Sequence, residues 1–216
     1  MAAVVTGPEL SGEVTSSVSP SRLPRHDGAP ASLSVKGSFD YEEGSGPSRL
    51  SIQLDRQLAI DAAGLPACKA LLNGVGVAAA RRKCKSSLLG SGSVTLRAIY
   101  PESPPVYAHS PVLFFNGGGS RLLMYMFTPG PVLGPASIVT AGIAKSHRLE
   151  VAFPRNWAPI IAFAFRFGRT WQSGGKTRGF LTGRCTAGSL RNRVTVGLSD
   201  GQTTPAVLTQ ACSGAA

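Results

Sequence analysis

Hydrophobic and polar positions along this chain fall mostly into a period of two. The alternation is sharpest at 160–167, IIAFAFRF, where Phe163, Phe165 and Phe167 stand two residues apart. Alternate side chains of a strand point to opposite faces, so the three rings share one face, with Ile161 beside them. The other face carries Ile160, Ala162, Ala164 and Arg166 and grades from apolar to charged. A row of phenylalanines has to be covered, and the rest of the chain supplies strands to cover it. Leu33, Val35, Gly37 and Phe39 alternate with Ser34, Lys36 and Ser38, and Leu50, Ile52 and Leu54 follow after a Gly- and Pro-containing loop at 41–48. These two strands are expected to pair as a hairpin. Further strands are predicted over 94–100, 106–115, 122–127, 137–143, 149–153, 180–185, 194–198 and 205–212. Asn116-Gly117 and Asp200-Gly201 predict tight hairpin turns between their flanking strands.

The stretch 64–92 differs in kind. Ala78, Ala79, Ala80, Arg81, Arg82 and Lys83 form the run of highest helix propensity, which predicts one short helix near 77–86. Gly90 and Gly92 are expected to stop it and release the chain into the strand at 94–100. Residues 1–30 are rich in Ser, Pro, Gly and Thr and predict a flexible lead-in, leaving 31–213 as a single domain. Many short strands with frequent turns predict an all-β fold, an antiparallel β-sandwich of jelly-roll-like type carrying that one helix.

Composition sharpens this picture in three places. With 43% hydrophobic residues among 216, the chain can bury a continuous core, which excludes disorder as its class. The longest apolar run, 158–165, is interrupted by Pro159 and falls short of the ~20 residues of a membrane-crossing helix. The net charge is +11, from 22 Lys and Arg against 11 Asp and Glu, and such a field attracts polyanions. The basic residues are scattered except for Arg81, Arg82, Lys83 and Lys85, which read as a solvated helix face and are the one candidate basic contact.

Cys68, Cys84, Cys185 and Cys212 contain no C-x-x-C pair and have only three histidines for company, so zinc binding is not implied. Two disulfides in an oxidising, extracytoplasmic setting are the reading that follows, with four buried free thiols as its competitor. Four cysteines allow three connectivities, of which the chain-local one closes the smallest loops. Met1 to Leu10 has no basic segment and only a short apolar one, so a signal peptide is not visible in this sequence.

Catalytic patterns are not found. A nucleophile elbow needs Gly-x-Ser-x-Gly on a strand-to-helix turn; Gly197-Leu198-Ser199-Asp200-Gly201 has the string between two predicted strands instead, and His26, His109 and His147 read as surface residues. Asp40, Glu42, Glu43, Asp55, Asp61, Glu102, Glu150 and Asp200 are available carboxylates, but spacing alone does not pair them across a β fold. Gly174-Gly175-Lys176-Thr177 has the ending of a phosphate-binding loop without its first glycine or its helix, and reads as a hairpin loop. Trp157 and Trp171 are candidate ligand contacts by stacking, against the commoner role of packing in a core. No catalytic residue, cofactor or metal ligand is assigned.

The order Gly64-Leu65-Pro66-Ala67-Cys68, Ala80-Arg81-Arg82-Lys83-Cys84, Leu89-Gly90-Ser91-Gly92, Phe115-Asn116-Gly117, Phe180-Leu181-Thr182-Gly183-Arg184-Cys185, Asp200-Gly201 and Cys212 resembles a group of uncharacterised secreted actinobacterial proteins. The likeness covers about 18–212, with a shorter segment after Gly117 than its relatives have. It implies secretion and pairing of Cys68 with Cys84 and of Cys185 with Cys212, and supplies no activity. The resulting expectation is an extracellular or cell-surface, non-catalytic binding or structural module for anionic or carbohydrate cell-envelope polymers. The alternatives are an extracellular hydrolase whose carboxylates converge only in the fold, and a nucleic-acid binder. The latter is weakened because aromatic and basic residues do not interleave along one strand face.

Overall fold

A computed structural model describes residues 2–6, 10–41, 46–129, 134–154 and 158–215. In chain order the strands are β1 (Ala2–Thr6), β2 (Leu10–Ser19), β3 (Arg22–Pro24), β4 (Ala29–Tyr41), β5 (Pro47–Gln53) and β6 (Leu58–Ile60). Helix α1 (Val77–Lys83) and a 3-10 turn at Lys85–Ser87 precede β7 (Leu88–Ala98), β8 (Val106–Asn116), β9 (Arg121–Thr128), β10 (Ala136–Lys145) and β11 (Arg148–Ala152). Then come β12 (Ile160–Phe167), β13 (Thr170–Ser173), β14 (Lys176–Gly179), β15 (Leu181–Gly183), β16 (Ser189–Leu198), β17 (Thr203–Ala211) and β18 (Ser213–Ala215).

The long strands form one antiparallel path, β1-β2-β4-β12-β7-β8-β9-β10-β11-β5-β16-β17. Its two outer strands, β1 and β17, return against each other, so the sheet is nearly closed into a barrel. The Gln210 side chain staples the seam: the backbone N–H of Val18 donates to its Oε1 at 2.6 Å, and its Nε2 donates to the Val18 carbonyl at 2.8 Å. A side-chain amide thus satisfies backbone groups that a neighbouring strand would otherwise pair. The β8–β9 and β16–β17 hairpins form where Asn116-Gly117 and Asp200-Gly201 predict them. In the first, the positive φ falls on Gly118 and Gly119, because Asn116 turns its side chain back to accept from the Gly118 N–H at 3.0 Å.

The interior is built around the three rings. Phe163, Phe165 and Phe167 are buried, and Phe114 of β8 meets Phe165 edge-on at 4.9 Å and Phe167 at 4.6 Å between centroids. Phe153, which follows β11 on the far side of the wall, reaches within 6.0 Å of Phe163 and 6.2 Å of Phe165. Ile160, rather than Ile161, takes the next fully buried place, because the register with β7 slips at a bulge between Ile160 and Ala162. Each phenylalanine lies over a glycine of its neighbour: Phe163 faces Gly37, Phe165 faces Gly92 and Phe167 faces Gly90. A Cβ on Gly37 would sit 2.6 Å from the Phe163 ring, and one on Gly92 would sit 2.8 Å from the Phe165 ring.

That pairing corrects the reading of Gly90 and Gly92 as helix stops. The strand already begins at Leu88, and both glycines lie inside it, making room for rings on β12. Two further expectations are corrected. The strands at 33–39 and 50–54 do not pair: β4 lies between β2 and β12, and β5 lies between β11 and β16. Alternation fixes which face a residue takes but not which strand stands beside it. The stretch 1–30 is not a loose lead-in, for β1 and β2 are part of the wall and Val5, Val14 and Val18 are buried in the core. Serine and threonine at the outward positions of β2, with Gly12 and Ser16 on the inward face, give it a linker's composition, while Leu10, Val14 and Val18 keep the period of two. The short strands β3, β6 and β18 are further elements that the alternation does not predict.

A second, smaller core lies outside the barrel. Leu113 and Phe115 of β8 and Tyr125 of β9 point outward and are buried under the 68–84 segment with Leu72, Ala80 and the Cys68–Cys84 bridge. The resulting flap is a helix of seven residues, too short to be stable alone, held by a disulfide onto an apolar sheet face.

Replacing Gly92 by Val puts branched carbons into space held by the Phe165 ring and the β12 backbone. The substitution is expected to cost at least ~1–3 kcal/mol, read as a lower denaturation midpoint with an unchanged m-value.

Candidate functional site

The register of the ladders puts Ser19, Ser32, Phe167, Leu88, Asn116, Arg121, Lys145, Arg148, Gln53 and Ala211 at one end of the barrel. Every connection leaving that end belongs to a common surface, and its charge is one-sided. The 20–28 connection brings Arg22, Arg25 and Asp27; the 54–87 connection brings Arg56, Lys69, Arg81, Arg82, Lys83 and Lys85 with Asp55 and Asp61; the 168–188 connection brings Arg169, Lys176, Arg178 and Arg184. Twelve basic residues against three acidic ones leave a formal +9 of the chain's +11 at one end. Among the described residues, the connections at the opposite end carry Glu102 and Asp200 and no Lys or Arg.

The basic end is rigidly built. Asp55 accepts from the Gln57 backbone N–H at 2.9 Å and from the Arg191 N–H at 2.8 Å, while Asn192, buried in β16, accepts from the Asp55 N–H at 2.9 Å. The buried Gln57 side chain donates to the Ser189 carbonyl at 2.8 Å and accepts from the Thr186 N–H at 2.6 Å. This network fixes the connection that carries Arg184 and is closed by the Cys185–Cys212 bridge. On the flap, Asn116 donates to the Leu65 carbonyl at 2.9 Å, and the Tyr125 hydroxyl donates to the Val75 carbonyl. Burial raises the pKa of Tyr125.

Arg81, Arg82 and Lys83 occupy the exposed last turn of α1, where the helix dipole favours positive charge, and Lys69 stands beside the same bridge. The helix face expected from the sequence is there, and it is one part of a larger basic surface that chain spacing hides. The two disulfides are Cys68–Cys84 and Cys185–Cys212, and no described cysteine is free. Trp171 is half-buried against the barrel core, its indole nitrogen buried 3.8 Å from where a Cβ on Gly64 would lie. It is a packing residue. Trp157, Glu42 and Glu43 lie outside the described residues. Gly174 and Gly175, both at positive φ, form the turn of the β13–β14 hairpin.

Two depressions open at this end. One, of about 320 Å³, lies between the start of β7 and the end of β12 and is lined by Gly90, Ser91, Arg166, Gly168 and Arg169. The other, of about 430 Å³, lies beside the second bridge and is lined by Arg25, His26 and Thr186. The described carboxylates are dispersed: Glu150 pairs with Arg148 and Arg49, Asp61 with Arg178, and Asp200 caps its own turn. His109 meets Thr95 at 3.1 Å and His147 meets the Leu58 carbonyl at 2.6 Å. No cluster of three His, Cys, Asp or Glu side chains fit to hold a metal occurs among the described residues. No described helix is long and apolar enough to cross a membrane. The inward positions of the wall are apolar, and the outward positions of β2, β4 and β16 are mostly Ser, Thr, Lys and Arg.

Removing the first bridge as Cys68→Ala/Cys84→Ala is expected to cost about 3 kcal/mol and lower Tm by about 6–12 °C, as scanning calorimetry reads it. Tyr125→Phe leaves the Val75 carbonyl without its donor, at ~1–2 kcal/mol. Because the folded Tyr125 keeps its proton longer than the unfolded one, its stabilising contribution is complete below about pH 10 and lost as pH rises further. The Phe variant is expected to lack that alkaline component in a pH series of urea midpoints. No family model, no curated protein and no solved structure matches this chain.

Proposed function

We propose that this protein is a non-catalytic binding module that holds an anionic polymer of the cell envelope against the basic end of its barrel. The observation that carries the reading is the concentration of charge: a formal +9 gathered from three separate connections at one end, held on a surface fixed by two disulfides. Charges held close in this way repel one another, and the arrangement is stabilised by a polyanion that releases its counterions on binding. The disulfides support an extracellular or cell-surface setting. The wall reads as a barrel flattened toward a sandwich, supported by the contact of Phe153 across the interior with Phe163 and Phe165.

A polymer without bases is favoured over nucleic acid by where the aromatic residues lie. Tyr100 and Tyr107, the exposed large aromatics among the described residues, belong to the 98–107 segment at the opposite end. A single-strand binder needs such rings interleaved with its cations.

The test is the affinity of the full chain for poly(glycerol phosphate) across a salt series, with a neutral glucan and duplex DNA as comparisons. The expected result is saturable binding of the phosphate polymer, with log K falling linearly against log salt concentration. Arg81→Gln/Arg82→Gln/Lys83→Gln is expected to flatten that slope by up to about three. Equal, salt-independent binding of the glucan would overturn the reading, and tighter binding of DNA would overturn the choice of polymer.

A further inference from the structure

The depression between β7 and β12 is the one of the two described at the basic end that has two arginines on its rim, Arg166 and Arg169. Arg166 points outward from β12, and its neighbours across the ladder are Ser34 on β4 and Ser91 on β7. Both are short hydroxyl residues that leave the guanidinium uncovered. Arg169 follows two residues after the strand, half-buried, with its Nε buried and unpartnered. Neither arginine pairs with a carboxylate among the described residues, whereas Arg178, Arg148 and Arg49 each do. Gly90 and Gly168 line the recess with bare backbone. A Cβ on Gly168 would lie 2.7 Å from that of Ser32, and one on Gly90 would collide with the Arg166 backbone.

We propose that this recess is a site for one phosphate ester group of the bound polymer, an inference that rests on the reading of the basic end given above. Two guanidiniums and a serine hydroxyl on the rim of one cavity offer forked N–H donors and an O–H to a tetrahedral oxyanion, the geometry in which arginine binds phosphate more selectively than a point charge does. At about 320 Å³ the recess falls at the small end of ligand pockets and admits one such group with the unit that bears it. The unpartnered Nε of Arg169 gains an acceptor when the recess is filled. The surrounding cations of the flap then hold the rest of the polymer without selecting its chemistry.

The experiment measures Kd of the full chain for a short glycerol phosphate oligomer, with poly-glutamate and single-stranded DNA of equal charge as competitors. Arg166→Gln, on an exposed side chain, is expected to weaken the oligomer at least tenfold with Tm unchanged, and Arg166→Gln/Arg169→Gln to weaken it further. The flap variant Arg81→Gln/Arg82→Gln/Lys83→Gln is expected to change it less than threefold. Should the double variant lose its fold, Ser91→Glu, which sets a carboxylate against both arginines, gives the same expected loss. Unchanged affinity in the Arg166 and Ser91 variants, with a large loss in the flap variant, overturns the recess and leaves the basic end standing. No loss in any variant overturns both. Equal competition by poly-glutamate overturns phosphate selectivity, and tighter binding of the DNA overturns the envelope polymer as its source.

Discussion

The structure depends on aromatic rings lying over glycines in the adjacent strand. A glycine inside a strand is unfavourable by itself: it loses more backbone freedom than other residues and packs nothing. Over Gly37, Gly92 and Gly90 the missing side chains are replaced by the rings of Phe163, Phe165 and Phe167, each of which needs that vacancy to lie flat toward the interior. The pairing fixes register, because a slip of one residue would set Phe163 against Lys36 or Ser38 and Phe165 against Ser91 or Ser93, and turn the rings to solvent. With β4, β12 and β7 locked together, Phe114 and Phe153 close on the same rings from other parts of the wall, and the core becomes continuous.

The same constraint shapes the surface. Gly90 packs Phe167 inward and, at the mouth of the barrel, leaves the rim bare where Arg166 and Arg169 stand. Twelve cations on adjoining connections would spread those connections apart if each were tethered only at its ends. The Gln57–Asp55–Asn192 network and two disulfides oppose that repulsion with side-chain-to-backbone hydrogen bonds, those of Gln57 and Asn192 part-buried, and with covalent links that are insensitive to salt. Rigidity here is what allows charge to be concentrated.

Much of the wall could be read from period two, since its pattern depends only on one face being buried. The helix was visible from three consecutive alanines followed by basic residues, and the hairpins at 116–121 and 198–203 from their turn dipeptides. β2 was hidden because Ser16, an inward residue, is as small and polar as the Ser17 beside it. Strand neighbours were hidden because β4 and β5 are adjacent in the chain yet separated around the barrel, a fact of topology that alternation does not encode. The basic end was hidden for the same reason. Arg25, Lys69 and Arg184 are far apart in sequence and share a surface because strands of an antiparallel barrel turn back at the same end.

Loading charge on an end rather than on the side of a barrel has a directional consequence. The outward positions of β4, β12 and β7 are mostly small, Ser34, Ser38, Ala162, Ala164, Ser91 and Ser93, so this stretch of the side wall offers a polyanion only the scattered cations Lys36, Arg97 and Arg166. The field therefore points along the barrel, with Glu102 and Asp200 at its far end. Such a charge distribution orients an approaching molecule before contact, over distances of about a Debye length, ~8–10 Å in physiological salt. A barrel met by a polymer in this way arrives basic end first, which leaves Tyr100 and Tyr107 facing outward from the polymer rather than toward it. Orientation is thus a property of the fold's topology, because it follows from which connections turn at which end.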